Sequence, residues 1–204
     1  MVKLELPETI RLAKLDEVPQ QPGLIERIKA SDNNNIVEGY TFSPNTNNDY
    51  PYRFFAEINV DNSNLWNLFK AMMLAMPDDI SFITGRKDDS TKDVAHSEYQ
   101  DKYGLYNKIE KYERELTLDG FLKFGAIHQT ENYLEEVFVH NAKYIQYWGG
   151  DEEKFRNTMN EFSLYEIKNL EFIDSYPIAT TALFTLYNDV IETDELLNIL
   201  RTEL

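Results

Sequence analysis

The sequence predicts an α+β fold with a mixed or antiparallel sheet packed by several helices. Helix-like and strand-like runs are interspersed rather than regularly alternating. Three short strand-like runs between about 121 and 148 have connections short enough for an antiparallel meander. The 12 Phe, 13 Tyr and 2 Trp supply the large side chains of a core. A chain of this length buries roughly 70% of its unfolded surface without disulfide or metal staples. No repeat, low-complexity tract or linker divides it, so residues 1–204 are expected to form a single α+β domain.

Taken in order, the first thirty residues read as an extended segment and then a short helix. Pro22 suits the first helical turn, and Leu24, Ile25 and Ile28 share one face. A strand is expected over 36–42, a loop over 43–49 (SPNTNND), and a second strand over 52–60. Asp61 or Ser63 offers an N-cap for a helix reaching Met76, with Leu65, Leu68, Phe69, Met72 and Met76 forming an apolar stripe that Pro77 ends. A strand over 80–84 and a polar loop over 85–93 follow. This β–α–β order permits a crossover, and periodicity leaves the strand direction open.

Between 96 and 117, Leu105, Ile109 and Tyr112 suggest a helix whose wet face carries Lys108, Glu110, Lys111, Glu113, Arg114 and Glu115. The meander is expected over 121–128, 134–139 and 143–148. Asp151 then caps a helix that buries Phe155, Met159 and Phe162. A further strand is expected over 170–176. Ile178, Ala182, Leu186 and Val190 keep helical spacing, and Thr193 caps a final helix with Leu196, Leu197 and Leu200 inward.

Charge is the strongest functional signal. The chain has 36 Asp and Glu against 20 Lys and Arg, a formal net of −16. Such a field repels nucleic acid and anionic membrane and attracts basic partners. Over 157–204 there are nine acids and only two bases, Lys168 and Arg201. The absence of cysteine removes disulfides, thiolate metal sites and thiol catalysis. The N-terminal MVKLELP lacks the apolar run of a signal peptide, and the longest mostly apolar stretch, 65–76, is too short to span a bilayer. The expected location is the cytoplasm.

Motifs that carry chemistry are sparse. The three histidines, His96, His128 and His140, show no metal-ligand spacing, and if the 129–133 connection closes a hairpin, position 128 faces about 136 and 140 faces about 124. No nucleophile elbow or phosphate loop occurs. Gly85-Arg86-Lys87 lacks the rest of the phosphate frame, and Asp88, Asp89 and Asp93 would repel a phosphate. The 61–64 run begins like a calcium loop but has Trp66 and Met72 where glycine and Glu are needed. Glu135 and Glu136 adjoin in a strand and so face opposite ways. Tyr144, Tyr147 and Trp148 form an aromatic group suited to core packing or a protein interface. No cofactor or metal is expected.

These readings lead to an acidic inhibitor that neutralises a basic partner protein, in the manner of a bacterial immunity protein acting on a nuclease-type toxin. Glu166, Glu171, Asp174, Glu192, Asp194 and Glu195 are the expected electrostatic contributors on a contiguous acidic face, with Tyr176 as an anchor. Two alternatives are a regulatory module that self-associates through an edge of the 121–148 sheet, and a hydrolase with distributed carboxylates near His128.

Overall fold

A computed structural model describes residues 3–47, 49–89 and 94–204. Asp93, with the rest of the 90–93 stretch of the expected polar loop, lies outside the described residues, as do Asn48 of the 43–49 loop and the first two residues.

The elements are, in chain order, β1 (Ile10–Leu12), α1 (Pro22–Ala30), β2 (Gly39–Pro44), β3 (Phe54–Asn59), α2 (Asn62–Leu74), β4 (Asp79–Arg86), β5 (Ala95–His96) and β6 (Gln100–Asp101). They continue with α3 (Lys102–Ile109), α4 (Glu113–Leu118), β7 (Leu122–Gln129), β8 (Leu134–Val139), β9 (Ile145–Gly149), α5 (Glu152–Glu161), β10 (Ile178–Thr180), α6 (Leu183–Leu186) and α7 (Thr193–Glu203).

One antiparallel sheet runs in the order β2-β3-β9-β8-β7-β4, with β5 and β6 both on the outer edge of β4. β1 and β10 form a separate antiparallel pair. The fold is therefore α+β, and β7-β8-β9 is the meander that the short connections imply. Because every neighbouring pair is antiparallel, β3 and β4 point the same way with three strands between them. The β3–α2–β4 segment is thus a crossover, and the meander fills the gap it leaves. Both sides of the meander are paired, β9 with β3 and β7 with β4. The free edge expected there for self-association is absent, since later strands lie inside the sheet rather than at its rim.

Alternation decides which side chains are buried. Phe54, Ala56 and Ile58 of β3, Phe82 of β4, Phe124 and Ala126 of β7, Val137 and Val139 of β8, and Ile145 and Tyr147 of β9 share one face. Onto it pack Leu65, Leu68, Phe69, Met72 and Met73 of α2, Leu105 and Ile109 of α3, Leu116 of α4, Phe155 and Met159 of α5, and Leu196, Leu197 and Leu200 of α7. Fully burying each such side chain stabilises by about 1.5–3 kcal/mol. A second cluster of Leu4, Ile10, Ile36, Tyr144, Phe172, Ile173 and Tyr176 closes one end of the opposite face.

Polar groups lock the joints. Lys143, at φ 62° in the β8–β9 turn, is buried and donates to the Leu116 and Leu122 carbonyls at 2.7 and 2.9 Å, which satisfies the end of α4. Buried Asp119 accepts from the Phe121 N–H at 2.9 Å and the Thr193 hydroxyl at 2.6 Å, tying the start of α7 to the turn before β7. Thr193 is therefore the first residue of α7 rather than its cap; Glu192 holds that position. Asp61 precedes α2 as expected, but its carboxylate accepts the Glu5 N–H at 2.7 Å instead of capping the helix.

Three further expectations are corrected. The 170–176 segment is not a strand: it runs as coil into a 3-10 turn at Ile173–Ser175, and its apolar residues face the second cluster without a neighbouring strand. The 178–190 segment is not one helix, because Ile178–Thr180 pairs with Ile10–Leu12 and only the single turn Leu183–Leu186 is helical. Glu115 is not on a wet face; it is buried and accepts the Ile191 N–H at 3.1 Å. No helix among the described residues is long and apolar enough to cross a membrane.

Candidate functional site

All five core-forming helices named above cover the same side of the sheet, so the other side is the place to look for a working surface. Strand register arranges that side in rows. One row reads Phe55, Trp148, Glu136, Ile127 across β3, β9, β8 and β7. The next reads Glu57, Gln146, Phe138, Gly125, Ile83, His96, from β3 to β5. Phe55 and Trp148 lie with ring centroids 4.8 Å apart, and both are half-buried, as are Glu57, Glu136, Phe138 and Gln146.

A cavity of about 530 Å³ opens on this face, in the range of ordinary ligand sites. Glu136, Phe138, Gln146, Trp148, Lys123 and His140 form much of its wall. Gly125 lies in the middle of the second row, and a Cβ there would come within 2.6 Å of the Val137 carbonyl and 2.9 Å of the Phe138 ring. The missing side chain lets β8 and the Phe138 ring pack directly against the β7 backbone.

The polar groups divide between two ends. At one end Glu136 stands between Trp148 and Ile127 and takes no hydrogen bond from a described side chain or loop N–H. Burial alone pushes its carboxyl up to about 7. At the other end Lys123, 8% exposed, donates to the Asp89 carbonyl, and Lys87 donates to the Thr180 hydroxyl at 3.0 Å. His140 stacks on Tyr144 at 4.7 Å and accepts the Ala142 N–H at 3.3 Å on Nδ1. Burial lowers its pKa against the pull of Asp174, so the ring favours the neutral state. A surface of this kind presents apolar rings beside a proton-exchanging acid.

The opposite neighbour, Glu135, is 1% exposed and fully engaged. Tyr133 and Tyr147 donate their hydroxyls at 2.5 and 2.7 Å, and Lys154 its ammonium at 2.6 Å. Burial and this carboxylate push both tyrosine hydroxyls well above their ordinary range. Adjacent acids on opposite faces are as the strand reading implies.

The expected contact residues fall in three places. Glu166 pairs with Arg156 at 3.0 Å beside Tyr40. Glu171 accepts from the Asn35 N–H at 2.6 Å and the Tyr176 hydroxyl at 2.7 Å, and Asp174 accepts from the Tyr144 hydroxyl at 3.1 Å. Tyr176, expected as an anchor for the partner, is buried in the second cluster, and its hydroxyl is pushed up to about 12. Glu192, Asp194 and Glu195 line an open groove with Glu203 along α7, and Asp194 is paired with Arg86. The acids of the 157–204 segment are thus partly neutralised by arginines outside it.

The aromatic group of the sequence also disperses. Tyr147 enters the helix-covered core, Tyr144 joins the second cluster, and Trp148 faces the open side. His128 faces Glu135 rather than position 136, and β7 residue 124 faces Val139, a one-residue shift from the expected register. Its Nδ1 lies 2.7 Å from the Asp79 carbonyl, and Tyr99 and Tyr133 stand edge-on to the ring. Other residues than His128 line the open-face cavity. No group of three or more His, Asp or Glu able to hold a metal occurs among the described residues. Comparison with protein families, curated proteins and solved structures gives no match for this chain.

Proposed function

We propose that the chain is an acidic binding protein that covers and neutralises a basic partner protein, as a cytoplasmic immunity protein does with a cationic nuclease-type toxin. The observation supporting this reading is a net charge of −16 on a sheet whose second face keeps aromatics and the acids Glu57 and Glu136 half-buried. Half-buried rings supply the contact area and the surrounding acids supply attraction and orientation. The α7 groove, with Glu192 and Glu195, adds acidic charge on the helix-covered side. Inhibition is by occupancy: acids and rings cover ground that the partner would otherwise present to substrate phosphates.

The test is a binding titration against the basic protein encoded beside this chain in its source genome and against cationic nuclease domains, at low and moderate salt. The reading predicts association that weakens several-fold as screening increases. Absence of any complex, or an affinity indifferent to salt, overturns it.

A further inference from the structure

The open face holds a six-position patch with alternating chemistry: Phe55, Trp148 and Glu136 in one row, Glu57, Gln146 and Phe138 in the next. No basic side chain occupies any of these positions. We propose that this patch receives an arginine side chain of the basic partner, its guanidinium lying on the Trp148 indole and bonding to Glu136 on one side and Glu57 on the other. The inference rests on the reading above and names the contact that carries it.

Geometry supports a planar cation here. Glu136 is directly opposite Trp148 across β8 and β9, so their Cβ atoms are about 4.5–5.5 Å apart. Glu57 is two residues from Phe55 on β3 and thus diagonal to Trp148, about 7–8 Å away. The tilted Phe55–Trp148 pair forms the aromatic platform. Guanidinium stacks on an indole face and offers its N–H fork to carboxylates, whereas an ammonium is a more strongly hydrated point charge. Glu136, Trp148, Gln146 and Phe138 line the cavity of about 530 Å³, which has room for such a side chain, and Phe55 and Glu57 flank it on β3.

Glu136 also needs a partner. It is half-buried and has no donor among the described residues, so it gives up part of its water without a hydrogen bond from them in return. Glu135, on the same strand, has three donors, so the fold is able to satisfy an acid and does so on the other face. A bound guanidinium supplies what Glu136 lacks and holds it in the charged form. Among the described residues, the other charged or titratable groups lining the cavity are Lys123 of β7, His96 of β5, His140 of the β8–β9 turn, and Lys87 and Asp89 at and after the end of β4; Glu57 of β3, Asp79 of β4 and Tyr144 beside β9 also belong to this side by alternation. The lysines belong to the far end: His140 is four residues from Glu136, about 13 Å along the strand, and burial is the sole cause of the Glu136 shift.

The test uses tetra-arginine and tetra-lysine peptides as probes and Trp148 fluorescence as readout. Trp66, the other tryptophan, is 4% exposed in the helix-covered core and provides a constant background. Tetra-arginine is expected to give a saturable change, at least about tenfold stronger than tetra-lysine. Affinity should rise between pH 6 and pH 8 as Glu136 gives up its proton. Glu136→Gln should weaken binding about tenfold and flatten that pH dependence, and Trp148→Leu should remove arginine preference in titrations followed by calorimetry. Thermal unfolding of both variants checks that they fold. Equal affinity for the two peptides, or unchanged binding in folded Glu136→Gln, overturns the arginine site. If a basic partner still binds wild type in a salt-dependent way, the binding reading survives that failure; if none binds, the reading itself fails.

Discussion

Glu135 and Glu136 are chain neighbours of identical chemistry on opposite sides of one sheet. Glu135 is almost completely buried, yet it is surrounded by Tyr133, Tyr147 and Lys154, which give it three donors. Glu136 is less buried, has none among the described residues, and holds its proton up to about pH 7. Depth alone therefore does not decide whether a carboxyl is satisfied; the supply of donors does. The covered face uses an acid as an internal fastener, and the open face keeps an acid unfastened.

Breaking the fastener should have the largest effect. Glu135→Ala leaves the Tyr147 hydroxyl buried without its acceptor and Lys154 without its anion, and should cost about 3–5 kcal/mol in urea unfolding. A loss below about 1 kcal/mol would show that the two acids are equivalent. The apolar side of the comparison comes next. Phe124→Ala, on the covered face, should cost about 3–4 kcal/mol, while Phe138→Ala, on the open face, should cost about 1 kcal/mol. Similar losses would mean that the open face is as tightly packed as the core.

Proton linkage sharpens the contrast further. Folded Glu136 keeps its proton to about 7 against an ordinary 4.5, so the folded chain binds more protons between those values, and its contribution to stability falls as pH rises through them. Glu136→Gln should thus be neutral at pH 4 and stabilising by about 1–2 kcal/mol at pH 8, after allowance for partial exposure. Lys143 has the opposite sign: burial lowers it to about 7 from 10.5, so its contribution improves as pH rises between them. Lys143→Met should abolish that rise, which stability curves from pH 7 to 10 would reveal. Smallest is the α7 groove: Glu195→Gln should leave the unfolding midpoint unchanged while slowing association with a basic partner at low salt, a pattern that stopped-flow kinetics would check.

Much of the covered face was readable in the chain. The Leu65, Leu68, Phe69, Met72 stripe and the Leu196, Leu197, Leu200 stripe are local periodicities, and local periodicity is what a helix imposes. The meander was readable because its connections are short. Its register was not: the hairpin closes with the Thr130 N–H donating to the Tyr133 carbonyl, which sets 128 against 135, and composition does not choose among such closures. The 170–176 and 178–190 segments misled because their partners are distant. Phe172 packs on Tyr144, and Ile178 pairs with Leu12 near the other end of the chain. The open-face patch was only half visible. Alternation separates Glu135 from Glu136, but Phe55 and Trp148 meet only because β3 lies beside β9, a fact of topology rather than of spacing.

That topology also orders events at the ribosome. β3 and β4 emerge with parallel directions and a three-strand gap between them, and the strands that will fill it are synthesised later. Until Gly149 has left the exit tunnel, the inner rims of both strands offer unclaimed N–H and C=O groups to any passing polypeptide. The meander's contacts are short in sequence and form fast, so it arrives as a ready wedge. The nascent chain is most open to wrong pairing in the interval just before that wedge seats.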